Sequence, residues 1–176
     1  MIKHSFSYMN KEMFMTLYTT LVRPHLEYCP QVWSPYLERD ANILEGVQRR
    51  ATKIVPELQN MSYEERLVEL KLYPLAERRI RGDMIAVFKI LNGMIDCSKE
   101  LVTVKDCTAY STRSNNMQLH HSNRKVAKHK FRENFFTNRI VLPWNALSNH
   151  VINSKTIGEF KGRYDKEVLG VYNTDC

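Results

Sequence analysis

The chain has 176 residues, of which 43% are hydrophobic and 26% are charged, so its composition is that of an ordinary globular domain and excludes a disordered chain. Its net charge is +7, and it has no uninterrupted apolar run of about 18 residues, which excludes a membrane-spanning helix. No secretory signal is visible, and the four scattered cysteines form no C-x-x-C pair, as is typical of free thiols. We therefore expect an intracellular domain, cytoplasmic or nuclear, or a part of a larger protein.

The amino-terminal part of the sequence is predicted to be helical. Asn10 is a suitable N-cap for a first helix, and apolar residues then recur every four positions. We expect Pro24 to break or kink this helix, because proline lacks an amide donor and clashes with the preceding turn. An irregular corner bracketed by Pro30 and Pro35 follows, and Trp33 is expected to anchor it. We expect both tryptophans, Trp33 and Trp144, to be core residues rather than platforms for base stacking.

Two further helices are predicted between residues 40 and 70. Asp40 can cap a helix that Pro56 stops, and the S-x-x-E pattern of Ser62 and Glu65 is a capping box that opens a short helix. The apolar positions of the first of these two helices are Ile43, Leu44, Val47, Ala51 and Ile54.

The longest helix is predicted to run from Pro74 to Gly93, because proline suits the first turn of a helix and glycine suits its carboxyl end. Its expected core face consists of Ile80, Met84, Val87, Phe88 and Leu91. We expect Arg78, Arg79 and Arg81 to form surface ion pairs. The expected partners are Glu77, Asp83 and the acidic helix that precedes them.

In the carboxyl-terminal half of the sequence, apolar residues recur at helical spacing less regularly. Residues 94–118 have the pattern of a connector, and a short strand is allowed around Met117–His121. A helix is predicted from Lys130 to about Leu142, with Pro143 interrupting it. The aromatic and aliphatic residues available to pack from it are Phe131, Phe135, Phe136 and Ile140. The last helix opens at a second capping box, and its inward residues are predicted to be Ile157, Phe160, Tyr164 and Val168.

These elements predict a mainly α fold. We expect a single helical domain of about five to six helices with an irregular connector, and the pattern allows one short strand pair. The expected organisation is a helical region at 1–93, a connector at 94–118 and a basic, helical carboxyl-terminal region at 119–176.

The positive charge is concentrated in one segment. Residues 98–150 carry nine basic and three acidic side chains, a balance of +6, whereas the rest of the chain is nearly neutral. Such a cluster attracts polyanions, so nucleic acid is the expected class of partner. The candidate binding residues in this cluster are Arg113, Arg124, Lys125, Lys128, Lys130, Arg132 and Arg139. A disordered basic linker is the alternative interpretation.

A second group of candidate nucleic-acid-binding residues lies in the last turns of the helix that Pro56 stops. Arg49, Arg50 and Lys53 can contact a nucleic-acid backbone from there. The alternative is that they are solvated cations that complement the helix dipole. The sequence does not decide between these two interpretations.

No enzyme motif is visible in the sequence. It has no glycine-rich phosphate loop, no H-E-x-x-H and no G-x-S-x-G, and no two aspartates are adjacent. Nucleotidyl transfer with two metal ions requires clustered carboxylates. We therefore expect no catalytic residue, no metal site and no cofactor in this chain.

Several blocks of the sequence resemble, in order, the thumb and downstream region of LINE-type, jockey-like non-LTR retrotransposon reverse transcriptases. The blocks are LYTTLVRPHLEYCPQVWSP at 17–35, LEGVQRRATK at 44–53, SYEERL at 62–67, ERRIRGDM at 77–84, FKILNG at 88–93, FF at 135–136 with Arg139, WN at 144–145 with Leu147, and FK at 160–161. The resemblance covers residues 6 to 169 approximately, and Ser148 departs from it where the family has a proline.

The resemblance implies a truncated polymerase. In that family the catalytic palm and the endonuclease precede these blocks, so both would lie before Met1 in a full-length parent. The parent activity is RNA-directed DNA polymerisation, which this chain alone is expected to lack. The resemblance implies that residues 1–93 are thumb-like and that the chain contacts RNA or DNA backbone without sequence specificity.

Three other functions stay open at this point. A helical protein-interaction fragment would dock through exposed apolar faces, and its binding would not depend on salt. A complete small enzyme with a dispersed site would need a metal and would lose activity when one acid is changed. A non-functional genomic relic would have no activity at all.

Overall fold

The computed structural model describes residues 8–95, 101–105, 115–120 and 130–170, with the side chains of Lys130 and Phe131 excepted. The described residues are mainly helical, which confirms the expected fold class. The chain divides into two compact units, Met1–Arg79 and Ile80–Cys176.

The helical segments are shorter and more numerous than the sequence suggested. They are α1 (Lys11–Leu17), α2 (Arg23–Leu26), α3 (Pro30–Trp33), α4 (Glu38–Thr52), α5 (Tyr63–Glu69), α6 (Leu75–Leu91), α7 (Lys130–Glu133), α8 (Phe136–Arg139), α9 (Val141–Asn145), α10 (Asn149–Ile152) and α11 (Ile157–Tyr164). Two π-helical turns, Tyr18–Val22 and Asp165–Leu169, and a 3₁₀ turn, Pro56–Leu58, accompany these helices.

The β pairing among the described residues consists of one isolated antiparallel bridge between Val104 and Leu119. Two backbone hydrogen bonds of 2.7 Å and 2.8 Å join the residues around it. The short strand pair that the sequence allowed is therefore reduced to a single bridge, and His121 lies outside the described residues.

The first helix begins as predicted, and a wider, π-helical turn precedes its proline. The Oδ1 atom of Asn10 accepts a hydrogen bond of 2.8 Å from the amide of Met13, which confirms the N-cap. The π-helical turn Tyr18–Val22 directly precedes α2, in which Pro24 occupies the first turn. The helical run therefore continues past Pro24, so the expected break there was wrong. The irregularity lies instead in the π-helical turn before the proline, and Pro24 itself occupies a first turn, where a proline is tolerated.

The core of the first unit is built by the amino-terminal helices and the segment around α5. The buried residues of this core are Met9, Phe14, Tyr18, Val55, Leu58, Leu67, Leu70 and Leu72. The capping box of α5 is confirmed: Ser62 Oγ accepts from the Glu65 amide at 3.2 Å, and the Glu65 carboxylate accepts from the Ser62 amide at 2.7 Å.

Helix α4 turns polar residues inward. Gln48 and Thr52 are fully buried on it, whereas the predicted core residue Ile43 is exposed and Leu44 is only half-buried. The predicted apolar face of this helix was therefore wrong in part. The reason is that Gln48 and Thr52 meet hydrogen-bond partners from other elements, which removes the cost of burying them.

Helix α6 ends as predicted but has a shifted core face. Gly93 has a φ of 66°, and the amide of Met94 bonds the carbonyl of Lys89 at 2.9 Å, which is the pattern of a glycine C-cap. Met84, Val87 and Phe88 are buried as expected, but Ile80 is exposed, so its assignment to the core was wrong. Two charged residues, Arg79 and Asp83, are buried instead, each one position before a predicted core residue.

The arginines of α6 pair with distant acids. Arg78 binds Glu27 through two donors, one of them at 2.9 Å, and Arg81 binds Asp165 at 2.5 Å and 2.6 Å. The expected pairing with Glu77 and with the preceding acidic helix was therefore wrong for these two. Each of the two pairs joins segments that are far apart in the sequence and is partly buried.

The core of the second unit is a stack of aromatic rings. Phe160 lies at its centre, with ring-centroid distances of 4.4 Å to Phe88 and 6.1 Å to both Trp144 and Tyr164. Trp144 is 1% exposed, which confirms it as a core residue. Trp33, in contrast, is 39% exposed, so its expected role as a core anchor was wrong.

The helix predicted from Lys130 to about Leu142 is divided into three short helices, α7 to α9. Phe136 and Ile140 are buried as expected, whereas Phe135 is exposed. Pro143 lies within the first turn of α9, so the predicted interruption there was also wrong. That position accepts a proline because the amides of a first turn have no acceptor within the helix.

Candidate nucleic-acid interface

Much of the predicted basic cluster lies outside the residues that the structure describes. This applies to Arg113, Arg124, Lys125 and Lys128. Lys130 is the first residue of α7, and Arg132 is exposed on the same helix. Their assignment to nucleic-acid binding stays a prediction from the charge distribution.

The guanidinium of Arg139 is hydrogen-bonded to other residues of the second unit. It donates to both carboxylate oxygens of Asp83, at 2.8 Å and 3.1 Å, and to the carbonyl of Asn134 at 3.2 Å. Its guanidinium carbon also lies 5.7 Å from the ring centre of Phe136. These contacts hold α8 against α6, and Arg139 would have to leave a buried carboxylate in order to bind a phosphate.

The second candidate group lies at the carboxyl end of α4. Arg49, Arg50 and Lys53 are all exposed. Among the described residues, no carboxylate lies within ion-pair distance of any of them. Arg49 places its guanidinium carbon 4.8 Å from the ring centre of Tyr63, which restrains its side chain. Arg50 folds back towards Gly46, where an added Cβ would be 3.5 Å from its guanidinium.

A buried polar network fixes α4 from its inner side. Tyr18 donates from its hydroxyl to Gln48 Oε1 at 2.5 Å, and Gln48 Nε2 donates to the hydroxyl of Tyr63 and to the carbonyl of Tyr73, both at 3.0 Å. Tyr63 in turn donates to the Glu45 carboxylate. Burial raises the pKa of both the Tyr18 and the Tyr63 hydroxyls well above the ordinary value. Both phenols therefore stay protonated and act as donors.

The same side of α4 makes two further links. The second oxygen of Glu45 accepts from the amide of Leu75 at 2.9 Å, which caps the start of α6. Thr52 Oγ1 accepts from Arg66 Nε at 3.0 Å, and the Arg66 side chain is buried. The network therefore holds α4 in one rotational setting, with Arg50 and Lys53 directed outward. Sequence reasoning missed it, although a glutamine and a threonine at helical spacing between apolar positions were visible.

A surface groove of about 610 Å³ lies on the second unit. It is lined by His150, Gly162, Arg163, Lys166 and Glu167. Arg163 donates to the carbonyl of His150 at 2.6 Å and also pairs with Glu159. Glu167 accepts from the amide of Ser148 at 3.0 Å, so most of the charge in this groove is used for internal contacts.

Within the described ranges, no group of three or more His, Cys, Asp or Glu side chains is placed to hold a metal ion. No helix there has the length and apolarity needed to cross a bilayer. Comparison with protein-family models, with curated proteins and with solved structures finds no match to this chain.

Proposed function

We propose that this chain is a fragment of a LINE-type, jockey-like retrotransposon reverse transcriptase that contacts the backbone of RNA or of an RNA–DNA hybrid. The ordered series of sequence blocks between residues 17 and 161 carries the proposal of origin. The acid-poor basic segment carries the proposal of binding. The fragment corresponds to the thumb and the downstream region, so the chain alone has no polymerase activity, and its place of action is the cytoplasm or the nucleus.

The charges support a contact with phosphates rather than with bases. The seven basic residues from 113 to 139 are accompanied within that segment by one acid, Glu133. Arg139 is bound to Asp83, so the other six carry the proposal. Each lysine or arginine that neutralises a phosphate releases condensed counterions, which contributes affinity without reading sequence. The exposed cations at the end of α4 add a second set of donors on a rigid helix.

The test measures binding of the purified chain to a labelled RNA–DNA hybrid and to single-stranded RNA across a series of salt concentrations. The variant K125A/K128A/K130A removes three cations from the basic segment. The matched control K155A/K161A/K166A removes three exposed cations from a region where acids balance them. Both variants have the same net charge, so they separate a local contact from a general effect of charge.

We expect a steep salt dependence in the wild type. In the first variant the log–log slope should decrease by about 1 for each phosphate that the chain no longer neutralises. The control variant should keep nearly the full slope. Absence of binding by the folded protein at low salt would overturn the proposal, as would an equal decrease of affinity in the two variants.

A further inference from the structure

The outward face of α4, together with its C-cap residue Lys53, carries three cations and no acid along one strip. Arg39, Ile43, Gly46, Arg50 and Lys53 fall within an arc of about 80° when each residue advances by about 100° around the helix. Except for Gly46, which is half-buried, these residues are exposed. We name the five residues the α4 strip. From Arg39 to Lys53 it is about 21 Å long at the rise of an α-helix.

The α4 strip contains no acid. The three acids of this helix are at other positions: Glu38 and Asp40 lie to either side of the arc, and Glu45 is turned inward to the Tyr63 hydroxyl. Among the residues that the structure describes, none of Arg39, Arg50 and Lys53 takes part in an ion pair. Three cations without compensating acids on one rigid face are complementary to a chain of phosphates.

An exposed aromatic segment leads directly into the α4 strip. Tyr28 is 73% exposed, and Trp33 and Tyr36 are 39% and 45% exposed. Trp33 Nε1 donates to the carbonyl of Tyr28, which restrains the indole ring while leaving part of it open to solvent. These three residues, the aromatic segment, end two positions before Glu38, the first residue of α4.

We infer that the ligand of this surface is a nucleic acid with unpaired bases, bound through its phosphates by the α4 strip and through its bases by the aromatic segment. This inference rests on the proposed function and names the part of the ligand that is recognised. A cationic strip alone would accept any phosphate backbone. Aromatic rings add affinity only where base faces are open, because in a duplex each face is already stacked on its neighbour.

The two tryptophans make this inference measurable by fluorescence. Trp33 is partly exposed in the aromatic segment, whereas Trp144 is buried in the aromatic core of the second unit. A base that stacks on Trp33 quenches its emission, and Trp144 does not respond. In the variant W33F the remaining emission belongs to Trp144 and serves as the internal control.

The experiment compares three probes: a blunt RNA–DNA hybrid, the same hybrid with an unpaired RNA extension of about eight nucleotides, and a single-stranded RNA of about 12 nucleotides. We expect tighter binding to the two probes with unpaired bases, with quenching of wild-type emission and no quenching in W33F. The variants W33L and Y28L should each weaken binding to those probes by about tenfold without changing the salt slope. R50A/K53A should instead reduce the slope.

The matched control is Val32→Ala, which removes an exposed apolar side chain beside Trp33 without removing a ring. A decrease of affinity in V32A as large as that in W33L would indicate an apolar protein-binding surface and would overturn the inference. Equal affinity for blunt and extended hybrids with unchanged emission would overturn it while leaving the proposed function intact. No binding to any of the three probes would overturn both.

Discussion

The guanidinium of Arg139 binds the carboxylate of Asp83, which lies 56 residues earlier in the chain, through hydrogen bonds of 2.8 Å and 3.1 Å. The Asp83 side chain is almost completely buried, and Arg139 is largely covered. Buried carboxylates are rarely tolerated without a charged partner. This pair therefore explains both the inward position of a charge on α6 and the placement of α8.

We expect Arg139→Leu to destabilise the protein by about 3 kcal/mol, because it leaves the carboxylate of Asp83 buried and unpaired. The double variant D83L/R139L should recover much of this stability. Urea unfolding of these variants, each carrying W33F as well, measures the two stabilities. In this background the tryptophan emission comes from Trp144, which lies in the same unit as the pair. Equal destabilisation of the single and double variants would show that the pair does not set the stability.

Because of the π-helical turn Asp165–Leu169, the buried residue at the end of the last helix is Leu169 and not the expected Val168. Val168 is 48% exposed, and Leu169 is 8% exposed. Tyr164 and Leu169 are five positions apart, which is the repeat of a π turn, whereas four positions would have placed Val168 inward. We expect Leu169→Ala to cost about 2 kcal/mol or more and Val168→Ala less than about 0.5 kcal/mol. Thermal unfolding of the two variants checks this, and a reversed order would contradict the π turn.

The stability of the protein should decrease at alkaline pH because of Tyr18 and Tyr63. Burial raises the pKa of both hydroxyls in the folded state, so the folded protein keeps a proton that the unfolded chain releases near pH 10. The stabilisation is complete below about pH 10 and is lost as the pH rises towards the folded-state values. We expect Tyr18→Phe to show a shallower alkaline decrease than the wild type in urea unfolding between about pH 8 and 11. A parallel pH dependence in the two proteins would contradict the prediction.

The capping box of α5 should stabilise the folded protein, and this stabilisation should be lost at acidic pH. Hydrogen bonds from the amide and hydroxyl of Ser62 lower the pKa of the Glu65 carboxyl below its ordinary value. The stabilisation is therefore present above about pH 4.5 and is lost as the pH falls through the lower folded-state value. We expect Glu65→Gln to be less sensitive than the wild type to a change from about pH 6 to 3. Ser62→Ala should cost about 1 kcal/mol at neutral pH, measured by the same unfolding curves. An unchanged stability in S62A would show that the cap contributes nothing.

Local rules predicted the parts of the fold that depend on neighbours in the sequence. The Asn10 cap, the Ser62–Glu65 capping box and the Gly93 stop are each confirmed, because each involves only atoms within one turn of a helix end. The burial of Trp144 was predicted as well, because a large aromatic side chain buries a large apolar area in the core.

Periodicity failed where a residue's partner is distant. Ile43 and Ile80 were predicted to be buried and are exposed, while Gln48 and Asp83 on the same helices are buried. A polar side chain can turn inward once a tyrosine or an arginine from another segment satisfies it, and that partner is not visible in a local pattern. The exposure of Trp33, on which the aromatic segment depends, is a result of the same kind.

The helical class, the caps and the concentration of positive charge between residues 98 and 150 follow from composition and from spacings of a few residues, so they can be predicted without a structure. Which face of α4 is turned to solvent depends instead on contacts between distant segments. The hydrogen bonds of Gln48 with Tyr18 and Tyr63 select that rotation, since a buried amide must have partners, and they leave Arg50 and Lys53 outside.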